Sequence, residues 1–351
     1  MNTKLLCPMS ALPSSPSKSI AIIYTGGTIG MSKTQSNTFH IDHDIVKNSL
    51  ESNPIFHHAQ MPPFMLFNLE TPLISYQMDP GSWMMIGNAI FEIYEHFRGF
   101  VIIHGTDTLA YTASALSFMF KNLQKHIVFT GSQLPLSNVY SDAYFNLAGS
   151  ILVASQLQIP EVTVFFSNKL YRANRVQKYS AWSLDAFDSA QMQPLAEFGT
   201  SLSFRRDLVR NFKEEEYGNG DFSVDPVSSK VGMVYLVPGI KVEMLDSYNT
   251  YKGLILQVFG AGNGGDAQVC KKLKQLHDGG CVIGLVSQTH TSMISVGAYE
   301  ASNQLREAGC ISGRGMTPEA AFTKLCWLMQ RDLDQREIEE LFQQSLRGEQ
   351  G

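Results

Sequence analysis

No run of apolar residues approaches the roughly 20 that a helix needs to cross a bilayer. Charge is also sparse, with only 17% of the 351 residues being Asp, Glu, Lys or Arg. The first absence sets aside a helical membrane span. The second, with a formal net charge of -5 and Lys and Arg scattered along the chain, leaves no basic face for nucleic acid. Cysteine is scarce: Cys7, Cys270, Cys281, Cys310 and Cys326 are odd in number and lack C-x-x-C or mixed Cys/His spacing. Reduced thiols in a cytoplasmic chain fit best, with Cys281 and Cys326 filling core volume. No H-E-x-x-H, EF-hand, Walker A or histidine-cluster pattern occurs, so metal catalysis has no support. Pro8, Ser10 and Pro13 interrupt the opening residues before a signal-peptide core can form, and residues 1–18 are expected to be a disordered leader.

What is present is an alternation of short β-branched runs with helical stretches. Ile20–Tyr24, Phe100–Ile103, Ile127–Phe129 and Val162–Phe166 read as strands; Met84–Phe97, Leu109–Asn122 and Asp142–Leu157 read as helices. Repeated strand, loop and helix imply a mostly parallel sheet covered on both faces. The pattern fails in the polar, glycine-bearing residues from Asn211 to Asp221 and resumes with strands Val231–Val237, Gly253–Phe259 and Cys281–Ser287. Helices are expected at Ala267–His277, Ala298–Glu307 and Thr317–Gln330, and residues 334–351 read as an amphipathic helix that frays into its final residues. The expected fold is therefore α/β with two doubly wound domains, a larger one at 19–210 and a smaller one at 230–351, joined by a linker at 211–229.

Two strand ends carry chemistry. Thr25-Gly26-Gly27-Thr28 follows Ile20–Tyr24, and Thr106-Asp107-Thr108 follows Phe100–Ile103. Carboxyl ends of parallel strands are where open α/β sheets bind ligands. Glycines there let backbone N–H groups face an oxyanion while Thr28 presents a hydroxyl, although a plain βα turn with helix-capping threonines accounts for the same residues. Asp107 beside Thr106 suggests a tuned hydroxyl, or an N-cap of the next helix. Threonine needs a base or relay to act as a nucleophile, and Lys178, in the polar run after Val162–Phe166, is a candidate that taken alone reads as a surface lysine. A third strand end, Thr130-Gly131-Ser132-Gln133, reads as scaffold. Gly260-Ala261-Gly262-Asn263-Gly264-Gly265 satisfies G-x-G-x-x-G, but the acidic residue expected after the next strand is missing, so a glycine-rich turn is the better reading.

Taken together these blocks resemble the bacterial type I (cytoplasmic) L-asparaginases. The resemblance runs from about residue 18 to 350 through Tyr24–Met31, Gly99–Phe118, Thr130–Gln133, Leu170–Arg172 and Leu346–Glu349. It implies an N-terminal catalytic domain, a smaller C-terminal domain and a homodimer or homotetramer acting on a small-molecule substrate. Thr28 resembles the family's nucleophile, and Thr106, Asp107 and Lys178 resemble its second catalytic group. Asp107 also resembles the ligand for the substrate's α-amino group. Gly27 and Thr28 are implied as backbone oxyanion donors, and Ser75 as the carboxylate contact, followed by Tyr76 and Gln77. At the lid position, where the family usually has a tyrosine, this chain has Phe39, so no hydroxyl relay is carried over. Positions around Gln177, Gln257 and His290 do not match a regulatory asparagine site.

The implied activity is hydrolysis of L-asparagine to L-aspartate and ammonia with no cofactor, and with L-glutamine or D-asparagine as secondary candidates. Three other readings stay open at this level. One is the amide-hydrolysing subunit of a tRNA-dependent amidotransferase, which normally carries an extra N-terminal domain. Another is a nicotinamide-dependent oxidoreductase built on the Gly260 loop. The last is a catalytically weak amino-acid-binding homologue.

Overall fold

Residues 5–6, 12, 18–33, 39–210, 220–295 and 300–350 are described in the computed structural model. Five apolar runs form the parallel heart of the first unit: β1 (Ile20–Tyr24), β2 (Phe64–Leu69), β3 (Gly99–Ile103), β4 (His126–Thr130) and β5 (Val162–Phe166). Every residue of β1, β3, β4 and β5 is buried. That is why these strands read as continuous rather than alternating apolar sequence: both sheet faces are covered. Their spatial order is β2-β1-β3-β4-β5, with the chain turning back on itself at β1. In open α/β sheets of this order, the crevice at the carboxyl ends of the first and third strands is the ligand-binding position.

The helices around this sheet are α1 (His43–Ser52), α2 (Pro80–Ile93), α3 (Leu109–Met119) and α4 (Ala143–Gln156). Helix α2 starts four residues before the expected Met84, because Asp79 and Ser82 form a reciprocal capping box and Pro80 occupies the first turn. Helix α3 stops at Met119, short of the expected Asn122, because Phe120–Lys121 pairs antiparallel with Ser223–Val224. Phe222, buried, stacks on Tyr94 at 3.7 Å between ring centroids. Residues 220–224 of the expected linker are thus tied into this unit, whereas 211–219 lie outside the described residues.

Antiparallel strands extend both sheet edges. Lys169–Arg172, Ala196–Phe198 and Leu202–Phe204 continue beyond β5. On the other side Leu5–Leu6, within the expected disordered leader, pairs with Asn68–Leu69. Arg172 forms a buried ion pair with Glu161 at 2.6 Å.

The second unit comprises residues 190–192 and 225–351. Its sheet is four parallel strands in sequential order, β6 (Val231–Tyr235), β7 (Gly253–Val258), β8 (Val282–Ser287) and β9 (Cys310–Ser312). Helices α5 (Ala267–Asp278) and α6 (Glu300–Glu307) lie in the crossovers, and α7 (Pro318–Leu328) and α8 (Gln335–Phe342) follow the last strand. The pleat sorts the side chains. Leu254, Leu256, Val258, Ile283 and Leu285 cluster with Val269 and Leu273 of α5, while on the opposite face Gly253 and Gly284 admit Leu325 of α7 and Phe342 of α8.

Candidate active site

Strands β1 and β3 pair in register from Ile20↔Gly99 to Tyr24↔Ile103, so the chain leaves both at the same level. Thr25 reinforces this by donating its N–H (3.0 Å) and its hydroxyl (2.8 Å) to the Ile103 carbonyl. Its own carbonyl accepts from Leu73 N at 2.7 Å. Three loops are thereby stitched together: 25–30, 73–77 and 104–108. Two glycines permit the close approach. Gly27 has φ +101°, and a Cβ there would lie 2.6 Å from both Cα and N of Gly105. A Cβ on Gly105 would lie 2.6 Å from Cβ of Ser75. Any side chain at either position would push the loops apart.

At this junction Lys178 Nζ donates to Thr106 Oγ1 and to Asp107 Oδ1, each at 2.7 Å. The Lys178 side chain is 15% exposed and that of Asp107 is 64% exposed, so the ammonium is held inward while the carboxylate opens to solvent. Lys178 is placed by a short ribbon in which Gln177–Lys178 pairs with Phe187–Asp188. Thr106, 5% exposed, also donates to Gln133 Oε1 at 3.2 Å. A hydroxyl, a lysine and a carboxylate within hydrogen-bond reach are the components from which an alcohol nucleophile or its relay is assembled.

Thr28 opens a short 3₁₀ turn, Thr28–Gly30, one residue after the Gly27 contact, and is half-buried. Among the described residues its hydroxyl has no partner. Ser75 is buried, donating to Gly105 O and accepting from Thr108 N, each at 3.0 Å. Tyr76 and Gln77 follow on the same turn and are exposed. Phe39 begins a strand, Phe39–Ile41, that pairs with Met31–Lys33. Its side chain and residues 34–38 between the two strands lie outside the described residues.

Sequence reasoning missed Gln133. Read as scaffold, it reaches Thr106 with its amide oxygen and the carbonyls of Ser180 and Ser183 with its amide nitrogen. The available signal was its position: β4 neighbours β3, so its carboxyl end shares the edge that holds Thr106.

His104, the residue before Gly105, is fully buried and donates from Nδ1 to the Gly105 carbonyl at 2.8 Å. Burial pushes its pKa down to about 4, against a smaller upward pull from that carbonyl. His126, buried at the start of β4, is held the same way: burial lowers it to about 4 while the Val153 and Leu157 carbonyls accept from Nδ1. Both are neutral when folded and protonate near pH 6.5 when unfolded, so the unfolded chain binds more protons between those values. Their stabilising contribution is complete above about pH 6.5 and declines as pH falls toward 4, by about 3 kcal/mol for each histidine. Urea midpoints measured from pH 7 to 4 are expected to fall accordingly, and His126→Gln to flatten the slope. An unchanged slope in that variant would contradict the assignment.

Elsewhere, the Gly260 loop is closed to a phosphate. The Asp266 carboxylate caps α5, accepting from Gln268 N and Val269 N and placing negative charge where a dinucleotide's pyrophosphate would bind. Cys281 and Cys326 are buried thiols raised by burial to about 11 and about 12. Among the described residues there is no His/Cys/Asp/Glu group that could hold a metal ion, and no helix is long and apolar enough to cross a membrane.

A glycine-apposed pair of threonine loops at the sheet's switch point, with Lys178 reaching from a separate ribbon to the threonine and carboxylate of one of them, defines an α/β protein with a hydroxyl-centred site. The chain belongs to the asparaginase family: residues 19–210 match the family described as Asparaginase, N-terminal, and residues 230–342 match the Glutaminase/Asparaginase C-terminal domain. It is 38% identical over 336 residues to L-asparaginase 1 of Escherichia coli K12, covering 95% of this chain and 98% of that protein. Among solved structures it is similar to L-asparaginase I of Vibrio cholerae (TM-score 0.85, 37% identity, 95% and 99% of the two chains covered). It is also similar to the thermostable L-asparaginase of Thermococcus kodakarensis (TM-score 0.84, 29% identity, 95% and 99% covered).

Proposed function

We propose that the chain is an L-asparaginase, hydrolysing L-asparagine to L-aspartate and ammonia through an acyl-enzyme on Thr28. The observation that carries this reading is the Lys178 ammonium bridging Thr106 and Asp107 on a loop pressed against the one that bears Thr28. Thr28 attacks the side-chain amide carbon. Backbone N–H groups near Gly27, Thr28 and Thr106 stabilise the oxyanion, ammonia departs, and water releases aspartate. Thr106, tuned by Lys178 and Asp107, manages the proton traffic. Asp107, largely exposed, receives the substrate's α-amino group.

Ser75 faces the α-carboxylate, and Tyr76 and Gln77 line the same turn. Phe39, at the lid position, has no hydroxyl with which to relay a proton. The relatives named above are L-asparaginases, which supports asparagine over the other amides, and the resemblance to the type I enzymes is what supports a cytoplasmic homodimer or homotetramer.

The test is ammonia release from L-asparagine and L-glutamine. Wild type is expected to turn over asparagine, and Thr28→Ala to lose at least about 10³-fold in kcat, since no other group takes over the covalent step. Full activity in Thr28→Ala would sink the mechanism. A wild type silent on both amides that still binds aspartate would make this a binding homologue.

A further inference from the structure

The hydrogen bonds around the Thr106 hydroxyl fix one donor to its oxygen and one acceptor for its proton. Lys178 Nζ is 2.7 Å from both Thr106 Oγ1 and Asp107 Oδ1, so it is the donor to Thr106. The hydroxyl's own proton must then point elsewhere. Gln133 Oε1, at 3.2 Å, is the acceptor it finds. The Gln133 amide cannot be turned the other way. Its nitrogen faces the carbonyls of Ser183 (3.0 Å) and Ser180 (3.3 Å), which only accept. Its backbone is fixed as well: Gln133 N and Leu134 N donate to the two oxygens of Asp142, each at 3.0 Å, and Asn146 Nδ2 donates to the same carboxylate and to Gly131 O, at 3.1 Å each.

We propose that Gln133 is a positioning residue whose amide oxygen sets the direction of the Thr106 hydroxyl proton, holding it away from Lys178 in the resting site. This rests on the role given to Thr106 above and adds a residue to it. Gln133 acts through Thr106. With no acceptor on that side, a buried Thr106 hydroxyl facing an ammonium donor has nowhere to place its proton and leaves its working orientation. A purely structural role would act through the other end of the amide, as a tie to the Ser180–Ser183 turn. The two ends can be separated by mutation. Gln133→Leu and Gln133→Met remove both ends, and either one serves if the other does not fold. Gln133→Glu keeps an oxygen for Thr106 and gives up the amide donors.

If the oxygen is what matters, Gln133→Leu and Gln133→Met are expected to lower kcat for asparagine by about tenfold or more with KM within about twofold, the size of one lost buried hydrogen bond. Gln133→Glu is then expected to stay within about threefold of wild type in kcat. Equal losses in Gln133→Glu and Gln133→Leu, or wild-type kcat in Gln133→Leu, would overturn the proposal. Thr106→Val, assayed alongside, separates the two levels. An inactive Thr106→Val with a fully active Gln133→Leu rejects Gln133 alone, whereas an active Thr106→Val rejects the site reading beneath it.

Discussion

Replacing Lys178 with methionine is expected to lower kcat for asparagine by about 10³-fold, within the range that a positioned acid–base group supplies. Methionine keeps the stem of the side chain but removes the charge that touches both Thr106 Oγ1 and Asp107 Oδ1. Thermal stability is expected to change little. Asp107 is 64% exposed, and an ion pair open to water on one side contributes about 1 kcal/mol or less. The variant therefore separates chemistry from folding: steady-state kinetics should collapse while the melting temperature stays near wild type. A kcat retained within about threefold would remove the lysine–threonine pair from the mechanism.

Much of this arrangement was legible in the sequence, for identifiable reasons. Ile20–Tyr24 and Val162–Phe166 are unbroken apolar runs because both faces of the strand are covered, and their bounds are those expected. The loops at Thr25 and His104 announced themselves by placing glycine and hydroxyls where apolar sequence stops. Local reasoning failed where the partner is remote. Lys178 lies 72 residues from Thr106 on a two-residue strand, so its place in the polar run after Val162–Phe166 made it a candidate base but did not distinguish it from a surface lysine. Gln133 contacts Thr106 across 27 residues and Ser183 across 50, and no periodicity encodes such a bond.

Helix bounds shifted for a different reason. The apolar pattern fixes a helix's middle, whereas its ends answer to caps such as Asp79 and to strand pairs such as Phe120 with Val224. The same limit hid the end of the chain. Residues 334–351 read as a helix fraying into polar residues, yet Glu349 is fully buried. Its partner could have been suspected from Lys324, the one basic residue in the mostly apolar helix Pro318–Leu328, since a buried charge requires pairing.

That pair sets the largest stability effect expected here. Lys324 Nζ donates to Phe342 O at 2.9 Å, to Gln344 O at 2.5 Å and to Glu349 Oε1 at 2.5 Å, and both side chains of the ion pair are fully buried. Glu349 also accepts from Leu346 N at 3.0 Å and Arg347 N at 2.6 Å. Burial raises the Glu349 carboxyl, but the Lys324 charge and those amides outweigh it and leave it below its usual value. The ion pair therefore fastens the residues after α8 onto α7.

Lys324→Met is expected to cost about 3–5 kcal/mol, because it leaves a carboxylate buried without its cation. If the loss comes from that orphaned charge rather than from the missing bridge, removing the second charge should help. Lys324→Met combined with Glu349→Leu is then expected to be more stable than Lys324→Met alone. Urea unfolding of the three proteins reads this directly. A double variant no more stable than Lys324→Met would assign the cost to the lost carbonyl contacts of Phe342 and Gln344, and the single variant behaving like wild type would mean that the tail does not depend on the pair at all.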